Sequence, residues 1–310
     1  MQLNVTTGKK KMSAFGYFLK EYELHLMLLL PVAILLIFCY APMFGIVIGF
    51  MKYLPAKGFA GSYWTGLQNF QVVFTLPGFM SALKNTVVIS GWKIVMGIVI
   101  PVLFTLLLNE VRNVKCQRVV QTLIYLPHFI SWVILSSVFM RLLKSTGIVN
   151  QFLGLFGAEP IMFLGDNDWF PFTLIATDTW KEFGYSTIVY LAAIQGISRD
   201  LYEAADVDGA NHLQQVLHVT LPGILPIVIL MSVLSMGNIL NGGFDQVFNM
   251  YSTVVYKSGD IIDTIVYRMA FDENDFGRAT AAGLFKSIIS AVFVAASYKI
   301  AYATSGYRVF

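Results

Sequence analysis

Four polar side chains follow one another at helical spacing inside a segment that is largely apolar. Ser235, Asn238, Asn241 and Asp245 step by three, three and four residues, and Gln246 lies beside them. On one helix they would share a face. Amide and carboxylate groups can donate to or accept from sugar hydroxyls, so the spacing predicts a surface for a hydroxyl-rich solute. A polar contact between two helices is the alternative.

A second group lies in the stretch "DTWKEFGY", where Asp178, Lys181 and Glu182 fall within one helical turn. The rings of Trp180 and Tyr185 could stack on a sugar. A salt bridge within the helix, which would let it lie in a bilayer, explains the same pattern equally well.

Lys93 stands alone among apolar residues, after Trp92. It could extend to the membrane surface, pair with a carboxylate on another segment, or bind an anionic solute such as a uronate. His128 follows Pro127, and we expect it to be a packed residue at a kink rather than a proton relay.

The elements that position these residues follow from composition. Of 310 residues, 56% are hydrophobic and only 13% are charged, and the mean hydropathy is +0.67. A soluble domain of this size needs more charge, so we expect an all-α polytopic protein surrounded by membrane lipid. A net charge of +3 does not favour nucleic acid as a partner. Two cysteines without ligand spacing give no metal site.

Hydropathy predicts about six spanning helices in one domain, residues 1–310. The windows are Leu26–Phe50, Asn85–Leu108, Val119–Leu143, Pro171–Gly196, Gly223–Val247 and Ala281–Ala303. Basic residues concentrate before the first window and after the second, at Lys9, Lys10, Lys11 and Lys20 and at Arg112, Lys115 and Arg118. The positive-inside rule therefore predicts that both termini and the loop 198–222 are cytoplasmic.

The loop 198–222 is polar and acidic, although apolar windows flank it. Asp200 is predicted to cap a helix, with Glu203 three residues on, and Gly209 suits the end of that helix. Pro222 suits the first turn of the next span, after a second amphipathic helix. Small side chains with a neighbouring carboxylate would let another protein approach and would offer a partner to an arginine. An ordinary ordered loop is the alternative.

The stretch "EAADVDGANHLQQVLHVTLP" resembles the EAA loop of ATP-binding-cassette (ABC) importer permeases. That pattern is Glu-Ala-Ala, three residues, Gly, nine residues, Ile-x-Leu-Pro, and this chain departs from it only at Val219. Other stretches, including "QTLIYLPHFISWVI", "WKEFGYSTIVYLAAIQGI" and "NGGFDQVF", resemble the branch that serves complex oligosaccharides and polysaccharides.

The resemblance implies a type I importer permease fold in a bacterial inner membrane. It implies three kinds of partner: a second permease, with a heterodimer expected, two ATPase subunits that bind ATP and Mg, and an extracytoplasmic solute-binding protein. It implies coupling to the ATPases through Glu203, Ala204, Ala205, Asp208, Gly209, Leu221 and Pro222. We assign the solute pathway to Asn238, Asn241, Asp245, Gln246, Trp180, Lys181, Glu182 and Lys93.

No stretch reads G-x-x-x-x-G-K-[ST], and neither a G-x-S-x-G elbow nor an H-E-x-x-H site occurs. We therefore expect a transport subunit that binds no cofactor itself and is not an enzyme. An ion-driven secondary transporter, with Asp178, Glu182 and Asp245 as ion sites, is the main competitor. A membrane-embedded transferase is a second one.

Overall fold

The computed structural model of the chain describes residues 22–237 and 239–305. The chain consists of two compact units, and the boundary between them lies between Ile48 and Gly49. The basic N-terminal arm and Asn238 lie outside the described residues, and the predictions that involve them remain predictions.

The first window forms one helical segment, Tyr22–Phe50. Helix α1 (Tyr22–Leu35) continues as a π-turn, Leu36–Tyr40, and then as a 3₁₀ segment, Ala41–Phe50. Two prolines, Pro31 and Pro42, remove backbone donors from the segment, which accounts for part of this irregularity.

From Gly49 onward, short elements alternate with long helices. Strands β1 (Met51–Lys52) and β2 (Tyr63–Trp64) pair antiparallel, with Met51 opposite Trp64. The helices are α2 (Gln68–Thr75), α3 (Phe79–Asn109), α4 (Val114–Tyr125), α5 (Trp132–Leu142), α6 (Ile148–Gly154), α7 (Trp169–Gln195), α8 (Arg199–Val207), α9 (His212–Gln215), α10 (Leu221–Met236), α11 (Phe244–Met250), α12 (Tyr256–Gly259), α13 (Ile262–Tyr267) and α14 (Phe276–Ser305).

Within the described residues, four helical segments are long and apolar enough to cross a membrane: Tyr22–Phe50, Phe79–Asn109, His212–Met236 and Phe276–Lys299. The bent pair Val114–Phe129 and Trp132–Leu142 makes a fifth if it counts as one span. Helix α7 is of similar length, 27 residues, but it carries three charges within the membrane-length stretch. The all-α fold is therefore confirmed, and the first, second and sixth windows coincide with helices that are long and apolar enough to span.

The third window is broken at the expected kink, and the bend is much sharper than a proline kink within one helix. Its two halves are bent by 104°. A 3₁₀ turn, Leu126–Phe129, ends the first half, and Ile130 and Ser131 then adopt extended backbone angles. Pro127 favours this break because it cannot donate within a continuing helix.

The fifth window is also interrupted, so the prediction of a single polar helical face is wrong. Helix α10 ends at Met236, and α11 begins only after Gly243, whose φ is +80°. A left-handed residue cannot continue an α-helix, and glycine adopts this conformation without steric cost. Ser235 and Asp245 consequently belong to different helices.

Helices α3 and α7 pack along each other at the centre of the second unit. One apolar cluster, which includes Ile89, Phe170 and Leu174, joins them to α11. On its other side α7 approaches α4 so closely that a Cβ atom at Gly184 would meet the backbone of Ile124. The absence of a side chain at Gly184 therefore sets the spacing between α7 and α4.

Candidate functional site

The loop 198–222 folds as a helical hairpin. Ser198 caps α8 by accepting a hydrogen bond from the Asp200 backbone N–H at 3.3 Å. The prediction that Asp200 is the cap is therefore wrong; it lies in the first turn, where its charge suits the helix dipole. Gly209 reverses the chain with φ +76°, and the prediction of a helix break at Gly209 is confirmed.

The second arm of the hairpin is continuous with a spanning helix. Asn211 and Gln214 form a reciprocal capping box at its start. A π-turn, Val216–Thr220, then leads into α10, and His212–Met236 forms one helical span of 25 residues. Pro222 lies in the first turn of α10, as predicted, and the π-turn runs into α10 without a break. The wider turn before it accommodates a residue that cannot donate a backbone hydrogen bond.

Side chains tie the two arms together. The hydroxyl groups of Tyr202 and Thr220 lie 2.9 Å apart, and Gln215 donates to the Asp206 carboxylate at 2.5 Å. His212 also contacts the carboxylate of Glu110, which follows α3. These contacts make the hairpin a compact body joined to both α3 and α10.

The outer surface of the hairpin is exposed and mixes apolar with acidic groups. Leu201, Val207 and Leu213 are 55%, 88% and 68% exposed. Glu203 and Ala204 are exposed on the same short helix, α8. Exposed apolar side chains rimmed by charge mark a protein interaction surface.

A buried polar centre lies where α3, α7 and α11 meet. The Lys93 ammonium is 3.3 Å from the Asp178 carboxylate, donates to the Gly242 carbonyl at 3.1 Å and contacts the Gln246 side chain. The Lys93 side chain is only 9% exposed. Of the three alternatives for Lys93, the structure therefore shows pairing with a carboxylate on another helix.

Gln246 completes this centre. Its amide donates to the Leu174 carbonyl and to the Thr177 hydroxyl, each at 2.8 Å, and Gln246 is fully buried. Gln246 thus joins α11 to α7 by hydrogen bonds, three residues after Gly243, where the chain breaks between α10 and α11.

A second polar cluster joins α7 to the break between α4 and α5. Lys181 donates to Glu182 at 2.7 Å and to the His128 carbonyl at 2.9 Å. The other Glu182 oxygen lies 2.6 Å from His128 Nδ1. The His128 ring stacks on Tyr185 at 4.7 Å and on Tyr125 at 6.0 Å. His128 is thus a packed residue at a kink, as expected, and it is also a partner of a carboxylate.

The structure brings together only part of the predicted solute pathway. Lys93, Gln246, Lys181 and Glu182 belong to the two clusters, but Trp180 lines a separate apolar cavity of about 820 Å³ between α3 and α7. Asn241, within the break between α10 and α11, and Asp245, in the first turn of α11, are both exposed. Sequence reasoning missed Thr177 and Tyr125, and an aromatic ring beside the Pro-His pair was the available signal for Tyr125.

Comparisons with known proteins match this architecture. The family described as "Binding-protein-dependent transport system inner membrane component" matches residues 97–301. The polygalacturonan/rhamnogalacturonan transport system permease protein YteP of Bacillus subtilis is 40% identical over 284 residues, which cover 91% of this chain and 88% of that protein. The arabinooligosaccharides transport system permease protein AraP of Halalkalibacterium halodurans is 30% identical over 292 residues, 91% of this chain and 88% of that protein.

A solved structure extends the likeness to three dimensions. It is the crystal structure of a bacterial ABC transporter involved in the import of the acidic polysaccharide alginate, 35% identical, with a TM-score of 0.86. The match covers 94% of this chain and 99% of that chain. A family match over most of the chain and relatives that are similar along nearly their full length lead to one conclusion: this multi-pass membrane protein belongs to the family of binding-protein-dependent transport system inner membrane components.

Proposed function

We propose that this chain is the permease subunit of an ATP-driven importer that carries acidic oligosaccharides across the bacterial inner membrane. It forms half of the solute pathway, and a second permease forms the other half. Two ATPase subunits supply the energy, and an extracytoplasmic binding protein delivers the sugar.

The observation that carries the proposal is the hairpin of residues 198–222. Its exposed surface offers apolar side chains and the Glu203 carboxylate to a soluble partner. Its second arm and the span to Met236 are one helix. A partner that moves the hairpin therefore moves the span, as a coupling element requires. In this role Glu203 and Asp208 supply charge, Ala204 and Ala205 permit close approach, and Gly209, Leu221 and Pro222 shape the turn and the exit.

The solute class rests on the relatives. Polygalacturonan and rhamnogalacturonan, named for one relative, and alginate, named for the solved importer, are acidic polysaccharides. Lys93 does not support an acidic solute, because Asp178, Gly242 and Gln246 already surround its ammonium. The chain's own support is the exposed Asn241 and the half-exposed Tyr185, which offer a hydrogen-bonding group and a ring.

Topology follows from the same role. The hairpin must face the cytoplasm to meet the ATPases, and both chain ends are then cytoplasmic. ATP and Mg belong to the ATPase subunits, and the permease makes no covalent change in the sugar.

The test is uptake of labelled tetragalacturonate into proteoliposomes that contain the complete complex and its loaded binding protein. We expect uptake only with ATP, and we expect Glu203→Lys to reduce ATP-driven uptake at least tenfold. Glu159→Lys, on a loop outside the hairpin, is the matched control and should transport normally.

Other outcomes would refute the proposal in distinct ways. Uptake driven by a sodium or proton gradient without ATP would favour the secondary transporter. A chemically altered sugar inside the vesicles would favour the transferase. Normal ATP-driven uptake by the Glu203→Lys complex would show that the hairpin does not couple the permease to the ATPase subunits.

A further inference from the structure

A small pocket between α11, α13 and α14 combines aromatic rings with an ion pair. Its volume is about 350 Å³, within the roughly 300–1,000 Å³ typical of small-molecule sites. Its lining includes Asn241, Phe244, Tyr267 and Phe271 and the charged pair Asp263 and Lys286. It is separate from the hairpin and from the two polar clusters described above.

The aromatic side of the pocket is a connected wall. The Phe244 and Tyr267 ring centroids are 5.6 Å apart, and those of Tyr267 and Phe271 are 4.9 Å apart. Phe248 extends the wall behind Tyr267 at 4.6 Å. Phe271 is 64% exposed, so its ring has free surface. Such flat apolar faces suit the C–H face of a pyranose ring.

The polar side has unused hydrogen-bonding capacity. Lys286 donates to Asp263 Oδ1 at 2.5 Å, but Asp263 Oδ2 is buried without a hydrogen-bond partner among the described residues. An ammonium has three donors, and the described part of the chain uses one of those on Lys286. A buried carboxylate oxygen without a partner calls for an explanation. The two remaining Lys286 donors can bind the oxygen of a hydroxyl group in the pocket.

The backbone beside the pocket contains a π-turn, an irregularity that is common at functional sites. Phe271 lies on a single π-turn, Arg268–Asp272. Such turns are rare and frequently occur at functional sites, because they redirect side chains without ending the helix. Asn241 faces the pocket from the break between α10 and α11.

We propose that this pocket is a sugar-ring subsite of the solute pathway, in which one pyranose of the transported oligosaccharide stacks on Tyr267 and Phe271 and hydrogen-bonds to Asn241 and the Asp263–Lys286 pair. A lipid chain would leave the polar side unsatisfied, whereas a sugar satisfies both sides. The inference rests on the proposed function.

The first test compares variants in the proteoliposome assay with tetragalacturonate. Phe271→Ala and Tyr267→Ala should lower the sugar taken up per ATP hydrolysed at least fivefold. Tyr267→Phe keeps the ring and should recover most of the uptake that Tyr267→Ala loses. Phe152→Ala removes another exposed ring, on α6, and should also stay within twofold. If the Tyr267→Ala complex does not assemble, uptake by Phe271→Ala decides the test, because the Phe271 side chain is largely exposed and its removal should not impair folding.

The second test detects occupancy directly. In a complex with Cys39 and Cys116 changed to Ser, Phe271→Cys should react with a water-soluble maleimide. Tetragalacturonate during ATP turnover should slow this labelling at least threefold, and labelling of Leu155→Cys should not change. If unmodified complex takes up no sugar, the proposed function itself fails. If it takes up sugar but Phe271→Ala transports normally, or Phe271→Cys is not protected, the subsite alone is wrong.

Discussion

The ammonium of Lys93 on α3 lies 3.3 Å from the carboxylate of Asp178 on α7, and both groups are largely withdrawn from solvent. The same ammonium donates to the Gly242 carbonyl, next to the left-handed Gly243. One cation therefore compensates a carboxylate and the free carbonyl of a broken helix. The pair connects the two central helices to the start of α11.

Breaking this pair from one side should destabilise the protein strongly. Lys93→Met leaves the Asp178 carboxylate without its partner, and such a change costs about 3–5 kcal/mol. Thermal unfolding of the complex in detergent measures the loss. The double variant Lys93→Met/Asp178→Leu removes both charges and should recover most of it. An unfolding temperature of Lys93→Met equal to that of the unmodified protein would show that the pair is dispensable.

The turn of the hairpin should tolerate only residues that accept a left-handed backbone. A Cβ atom at Gly209 would meet nothing within 4 Å, so the backbone angle alone decides the outcome. Gly209→Val carries a strain of about 1–2 kcal/mol and should distort the hairpin, whereas Gly209→Asn should be mild. ATP-driven uptake should fall several-fold for Val and little for Asn. Equal uptake by the two variants would contradict the assigned role of this turn.

The contact between α7 and α4 should be intolerant of a single methyl group. Gly184→Ala places a Cβ atom against the Ile124 carbonyl, and overpacking of this kind costs about 1–3 kcal/mol. Gly97→Ala on α3 is the matched control, since nothing lies within 4 Å of its Cβ position. The unfolding temperature in detergent should drop for Gly184→Ala, and it should stay the same or rise slightly for Gly97→Ala. A normal unfolding temperature for Gly184→Ala would mean that the helices can separate without cost.

The region beyond α11 has its own ion pair, and its geometry favours arginine over lysine. Arg268 donates to the two Asp260 oxygens at 2.9 and 2.5 Å, and the Asp260 side chain is 9% exposed. Burial alone would lower the pKa of Arg268, but the hydrogen bonds and charge of Asp260 outweigh burial and raise it above its usual value. The raised pKa keeps Arg268 charged at every pH at which the protein is handled, so the pair's contribution should not fade as the pH rises to 9.

Arg268→Gln should therefore lower stability by about 3–5 kcal/mol, because it leaves Asp260 buried and unpaired. Arg268→Lys keeps the charge but loses the two-pronged geometry, and should recover only part of the loss. Thermal unfolding at pH 6 and pH 9 checks both expectations. Full recovery by lysine would show that charge, not geometry, holds this contact.

Local features of the sequence predicted the local features of the fold. The break at Gly209 and the apolar lengths of α3 and α14 depend on residues close together in the chain, so composition and spacing suffice. The pairing of Lys93 with Asp178 joins residues on helices far apart in sequence. No local pattern distinguishes that partner from Glu182 or Asp245.

The breaks in the third and fifth windows escaped prediction for a shared physical reason. Hydropathy averages over a window, and it hardly changes at Pro127 or at Gly237, Gly242 and Gly243, where the backbone breaks. Proline and glycine can be tolerated within a membrane helix, so their presence alone does not predict a break. The free backbone groups need a partner, and after α10 Lys93 supplies one from another helix.

Because the helix from His212 to Met236 is unbroken, a movement of the hairpin's second arm is transmitted along the whole span. At 1.5 Å per residue, its 25 residues reach about 37 Å. A tilt of about 10° at the hairpin end would carry the opposite end roughly 6 Å sideways, by the same helix dimensions. A displacement of that size is about one helical turn, enough to open or shut a passage beside the glycine break without unfolding a single hydrogen-bonded turn.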